Sequence, residues 1–169
     1  MLKVVEARDG SIYVRMTLGG YSEIDGGKAV LVPSSQIERS GWIVGREVTK
    51  VLQDSRGDWW ATTGHEVYRL PGPALHSKPA NASAPLMGSP RARSSSALTG
   101  IHEDTAGRIW IASRHGLVRC DAPSSRSARF AFLPLVGFAE WDEITDVLSD
   151  RSGNVWLRTL RDVARVVEG

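Results

Sequence analysis

The sequence predicts an all-β fold: a β-propeller of four tandem blade-like repeats, each a four-stranded antiparallel sheet, in a ring that is incomplete or completed by association. Three observations lead there. First, four segments align without gaps, VVEARDGSIYVRM (4–16), VLQDSRGDWWATT (51–63), IHEDTAGRIWIAS (101–113) and VLSDRSGNVWLRT (147–159). Their aromatic column is Tyr13, Trp60, Trp110 and Trp156, at spacings of 47, 50 and 46 residues, the length of a blade. Second, other columns keep that register. Glycine stands three before each aromatic (Gly10, Gly57, Gly107, Gly153). In three copies aspartate stands six before (Asp54, Asp104, Asp150) and threonine eleven before (Thr49, Thr99, Thr145). An aliphatic follows at plus seven (Val67, Leu117, Val163) and an arginine at plus nine (Arg69, Arg119, Arg165). Third, helix signals are nearly absent, while 17 Gly and 8 Pro supply turns.

Each copy reads as a strand up to the aspartate, a tight D-x-x-G turn, a second strand through the aromatic, a short polar loop and a third strand. Aspartate accepts backbone N–H bonds at the start of the turn, and glycine takes the positive φ of a bulged hairpin. A fourth strand fits at 30–32 and 130–133. One helical turn is the most that 35–39 could make. The tryptophans are expected to fill the space between blade faces. The first copy is degenerate, with Ala7 in the aspartate column and Leu2 in the threonine column. Blades are placed at about 1–45, 46–95, 96–141 and 142–169, with a Pro/Ser-rich exposed loop at 71–96.

Composition excludes several functions. The chain has 169 residues, 41% hydrophobic and 24% charged, with a formal charge of +2, so it is long enough for one real core. No Lys/Arg cluster argues for nucleic acid as a partner. No apolar run reaches the roughly 18 residues of a membrane span. The start, MLKVVEARDG, lacks the apolar core of a secretory signal. A cytoplasmic protein, or a chain separated from its own beginning, are the two readings. Cys120 is the only cysteine and reads as a half-buried strand residue rather than a nucleophile. No G-x-S-x-G, H-E-x-x-H, C-x-x-C or phosphate-binding glycine loop occurs, so no catalytic residue, metal or cofactor is expected. D-x-x-G-[DN] matches part of a calcium loop, but its recurrence in the repeat fits a turn better.

The third copy, Leu98-Thr-Gly-Ile-His-Glu-Asp-Thr-Ala-Gly-Arg-Ile-Trp-Ile-Ala-Ser-Arg-His-Gly-Leu-Val-Arg, resembles the two-component regulator propeller repeat, I-x-x-I-x-x-D-x-x-G-x-I-W-I-x-[TS]-x-x-G-L-x-R. The second and fourth copies depart from it at His65-Glu66 and Arg161-Asp162, where the family has glycine. The resemblance implies a β-propeller and a non-catalytic sensor module of bacterial histidine kinases and hybrid regulators. Such a module is extracytoplasmic and binds a small ligand, often an oligosaccharide. The family has no fixed catalytic motif to carry over.

Propeller ligands usually sit at one end of the ring axis, on loops between second and third strands and loops entering each first strand. The candidates there are His65, Glu66, Arg114, His115 and Arg161, with Trp42, Trp141 and Asp142 from entry loops. Aromatic platforms beside polar groups suit a saccharide. Two other functions compete with the sensor reading: a protein–protein interaction scaffold, and a propeller lyase resembling the streptogramin lyases. Apolar blade faces at the ends of an open arc would favour self-association.

Overall fold

The computed structural model describes residues 3–6, 10, 12–15, 21–25, 28–32, 49–70, 97–114, 116–123, 128–133, 135 and 143–167. The predicted exposed loop at 71–96 and the predicted turn at 35–39 lie outside them. Four antiparallel meanders follow one another. The first contains β1 (Lys3–Glu6), β2 (Ile12–Arg15), β3 (Tyr21–Asp25) and β4 (Lys28–Val32). The second contains β5 (Lys50–Gln53), β6 (Trp59–Thr62) and β7 (Val67–Leu70). The third contains β8 (Leu98–Glu103), β9 (Ile109–Ser113), β10 (Gly116–Cys120) and β11 (Phe130–Leu133). The fourth contains β12 (Ile144–Ser149), β13 (Val155–Thr159) and β14 (Val163–Arg165). Among the described residues, blades two and four therefore have three strands and blades one and three have four. No described helix is long and apolar enough to cross a membrane.

The same turn closes the first hairpin of each later blade. In blade two the Asp58 carbonyl accepts the Asp54 N–H at 2.8 Å, and the Asp54 carbonyl accepts the Gly57 N–H at 3.0 Å. Blades three and four repeat the pair at Asp104/Gly107 and Asp150/Gly153. The turn glycines Gly10, Gly57, Gly107 and Gly153 have φ of 85°, 88°, 75° and 82°, the left-handed conformation that side chains resist.

Blades two, three and four pack face to face. β5 lies against β8, and β12 lies against both β8 and β9, so the first strands succeed one another around an axis. Two cores result. Trp60, Val67, Leu98, Ile109, Ile111, Val118 and Cys120 fill the space between blades two and three. Trp110, Ala112, Leu117, Ile144, Val147, Val155 and Leu157 fill that between blades three and four. Alternation assigns the faces, since neighbouring strand residues point to opposite sides. In β9, Ile109 and Ile111 serve the second blade's side while Trp110 and Ala112 serve the fourth's. Near the axis, Lys50 of blade two reaches Asp146 of blade four at 3.8 Å. Gly100 stands between them in sequence register. A Cβ there would come within 3.0 Å of Asp146 Oδ1 and of the Val147 backbone nitrogen.

Candidate functional site

The loop end of the blades is built by a repeated hydroxyl. Thr63 Oγ1 accepts the Glu66 N–H at 3.0 Å, and Thr159 Oγ1 accepts the Asp162 N–H at 2.9 Å and the Arg161 N–H at 3.2 Å. Ser113 occupies the same column and donates its hydroxyl to the Gly116 carbonyl at 3.3 Å. Such local bonds fix a short loop without a helix or extra strand. Backbone bonds then tie two of these loops to the next blade: the Gly64 carbonyl accepts the Leu98 N–H at 3.0 Å, and the Arg114 carbonyl accepts the Ile144 N–H at 2.9 Å. Within blade three the Ala97 carbonyl accepts the Arg114 N–H at 3.3 Å.

On this tied rim His65 and Arg161 are exposed. Glu66 is half-buried and accepts the Tyr68 hydroxyl at 2.8 Å. Arg114 pairs with Glu143 at 3.3 Å, joining the loop of blade three to the entry of blade four. Both partners are substantially exposed, so this pair contributes under about 1 kcal/mol to stability. Trp42, His115, Trp141 and Asp142 lie outside the described residues. The described loops thus carry an imidazole (His65), three carboxylates (Glu66, Glu143, Asp162) and two guanidinium groups (Arg114, Arg161), which can donate and accept hydrogen bonds.

At the opposite end of the hairpins the aspartates do more than start a turn. Asp54 Oδ1 accepts the N–H groups of Arg56 and Asp58 at 2.9 and 3.0 Å, while Oδ2 accepts the Trp60 indole N–H at 2.9 Å. Asp104 binds Trp110 at 2.7 Å and Asp150 binds Trp156 at 3.0 Å in the same way. The arginine at plus nine is the cross-strand partner of each tryptophan. Arg69 lies 6.0 Å from the Trp60 ring centre and Arg119 5.8 Å from that of Trp110, within cation–π range. The repeat columns are therefore one device of acid, indole and guanidinium. The signal for it was present in the sequence: the copy lacking tryptophan also lacks the aspartate.

These carboxylates are surrounded by donors. Burial raises the Asp104 pKa, but the bonds from the Trp110 indole and from the backbone and side chain of Arg108 outweigh it and leave it below the usual carboxylate value. Bonds from Asn154 and Trp156 hold Asp150 down at about 2. Oxygens so occupied by N–H groups suit an anion's charge and leave little for a cation, which separates the motif from a calcium loop. Among the described residues no group of three or more His, Cys, Asp or Glu side chains could hold a metal. Cys120 is fully buried on β10, and burial pushes its thiol pKa up, the opposite of what a nucleophile needs.

Two further contacts between blades escaped the sequence reading. Glu103 accepts both the N–H and the hydroxyl of Ser55 at 2.6 Å, latching the turn of blade two to β8. His102 Nε2 accepts the Ser149 N–H at 2.9 Å and lies 2.8 Å from the Ser149 hydroxyl. Burial lowers the His102 pKa, against the opposing charges of Asp104, Asp146 and Glu103.

No family model matches this chain, and no curated protein does. Solved structures do. The chain is similar to the extracellular domain of BT4673 from B. thetaiotaomicron, titled as a one-component system, with a TM-score of 0.65 and 14% identity over 96% of this chain and 21% of that one. It is similar to the extracellular domain of BT3049 from the same organism, titled as a hybrid two-component system, with a TM-score of 0.60 and 14% identity over 96% and 21%. It is also similar to virginiamycin B lyase from Staphylococcus aureus, with a TM-score of 0.64 and 10% identity over 96% and 50%. The chain therefore spans about half the length of the lyase and about a fifth of the two extracellular domains. At these identities the likeness shows the fold, a β-propeller module, and fold alone does not fix activity.

Proposed function

We propose that this propeller module is a non-catalytic, ligand-binding sensor part of a bacterial two-component system, working outside the cytoplasm and taking a saccharide on its loop end. The observation that carries this reading is the likeness of nearly the whole chain to the extracellular domains of BT4673 and BT3049. The repeat in the third copy, which resembles the two-component regulator propeller repeat, supports it independently. The rim of His65, Glu66, Arg114, Glu143 and Arg161 supplies the mixed donors and acceptors that sugar hydroxyls require.

The test is thermal unfolding against a panel of mono- and oligosaccharides. A ligand at about 100 times its Kd adds roughly 2.7 kcal/mol, which raises Tm by several degrees for a chain of this size. Arg161→Ala and His65→Ala, both on exposed loop positions, should remove the shift while leaving the unliganded Tm in place. A panel without any shift would remove the saccharide reading. A second reading, lyase activity, is favoured by the likeness to virginiamycin B lyase. Incubation with a streptogramin B antibiotic, followed by chromatographic separation of any product from the starting antibiotic, decides it.

A further inference from the structure

We propose that the outward side of blade four is a docking surface for blade one of a second copy of this chain. The inference does not depend on the sensor reading.

The interfaces between blades two and three and between blades three and four are made from the same columns. The leading blade offers its tryptophan and the aliphatic at plus seven: Trp60 and Val67, then Trp110 and Leu117, all fully buried. It also offers the residue two before the aspartate. Leu52 packs into the first core, and His102 bonds Ser149 across the second. A loop carbonyl completes the set, Gly64 and then Arg114, each accepting the first N–H of the following blade. In blade four these positions are Trp156, Val163, Leu148 and Leu160. There Trp156 is only partly buried, and Leu148, Val163 and Leu160 are 47%, 66% and 71% exposed. Val167 beside them is 76% exposed. Leu148 stands opposite Trp156 and Val163 opposite Arg158, so Leu148, Trp156 and Val163 share one side of the sheet, an apolar patch of the kind that marks an interface.

What covers a leading blade in this molecule is an aliphatic triad on the first two strands of the follower. In blade three it is Ile101, Ile109 and Ile111, and in blade four Val147, Val155 and Leu157. The backbone register is fixed, with Ile101 opposite Ile111 and Val147 opposite Leu157. Blade one carries Val4, Ile12 and Val14 in these columns, with Val4 opposite Val14 and Glu6 opposite Ile12, as Glu103 is opposite Ile109. A second copy thus brings an edge with the follower's pattern in the follower's register. Joining blade four of each copy to blade one of the other gives a closed two-fold assembly, which does not propagate into fibres.

Light scattering on the 169-residue chain should give twice its 18.4 kDa mass. The double variant Leu148→Asp, Val163→Asp should fall to the single mass with an unchanged β-sheet circular dichroism spectrum, because both positions are exposed in the isolated copy. Val4→Asp should dissociate the assembly from the other side. Mixing the double variant with Val4→Asp should restore a heterodimer through the one intact interface. A single mass for the unaltered chain at about 100 µM overturns the proposal and leaves the face to a following blade of a longer polypeptide. A dimer that survives the double variant overturns the assigned surface.

Discussion

Blades three and four carry nearly the same motif, yet they differ along their second strands. Every residue of β9, Ile109 to Ser113, is buried. Along β13 burial alternates: Val155, Leu157 and Thr159 are buried, Trp156 is partly so and Arg158 is exposed. The acid–indole bond is the same in both, at 2.7 and 3.0 Å. The difference teaches that the bond belongs to the repeat, whereas burial of the tryptophan belongs to whatever lies beyond it. A strand between two sheets has no solvent side.

The sharpest way to break this comparison is to truncate both tryptophans. Trp110→Ala should lose about 3–5 kcal/mol in urea unfolding, as for a large core side chain. Trp156→Ala, measured in dilute solution, should lose roughly 1–2 kcal/mol because part of its ring already meets water. Equal losses would mean that the turn bond, not the burial, gives these residues their weight.

A smaller effect separates the acids. Asp104→Ala leaves a buried indole N–H without its acceptor and should cost about 1–3 kcal/mol; Asp150→Ala should cost less. Both carboxylates sit below the ordinary value near 3.8, Asp150 at about 2. Because folding lowers these pKa values, their contribution is full above that ordinary value and is lost as pH falls towards about 2. Urea midpoints measured from pH 5 to pH 2 should fall, and Asp150→Asn should flatten the lower part of that fall.

Gly100→Ala tests how closely blades three and four approach at their first strands. The added carbon meets the Val147 backbone at 3.0 Å, so a loss of about 1–3 kcal/mol is expected. Gly64→Ala, with nothing within 4 Å of its added carbon, is the matched control by the same unfolding measurement and should stay within about 0.5 kcal/mol.

The smallest effect is at His102. Its Nε2 must be unprotonated to accept the Ser149 N–H. Folding lowers its pKa from 6.5, so the contribution is complete above that value and is lost as pH falls through the lower folded value. His102→Ala should cost about 1 kcal/mol at pH 8 and progressively less in mild acid. A constant difference across pH 5–8 would show that packing, not the acceptor, carries the residue.

The D-x-x-G hairpins were legible because the turn needs glycine at one position and an acceptor at another, and both requirements are local. The outer strands at 30–32 and 130–133 were legible from their apolar character; the first extends to Lys28–Val32 and the second is Phe130–Leu133 as expected. The partner of the Trp60 indole was not read, although it lies only six residues away. Column counting treats Asp54 and Trp60 as separate signals, and the bond between them depends on how the bulged turn aims Oδ2. At the candidate site, the sequence nominated loop positions by column alone. The Arg114–Glu143 pair and the Glu66–Tyr68 bond required the loops to be closed.

By itself the sequence determined the repeat, its turns and the alternation of its strands, because these follow from neighbours a few residues apart. Only the tertiary structure decided which copy of each column is dry. Trp60, Trp110 and Trp156 share one motif, but a following blade seals the first two and not the third. Burial is a property of two sheets in contact, and no single repeat specifies its neighbour's presence.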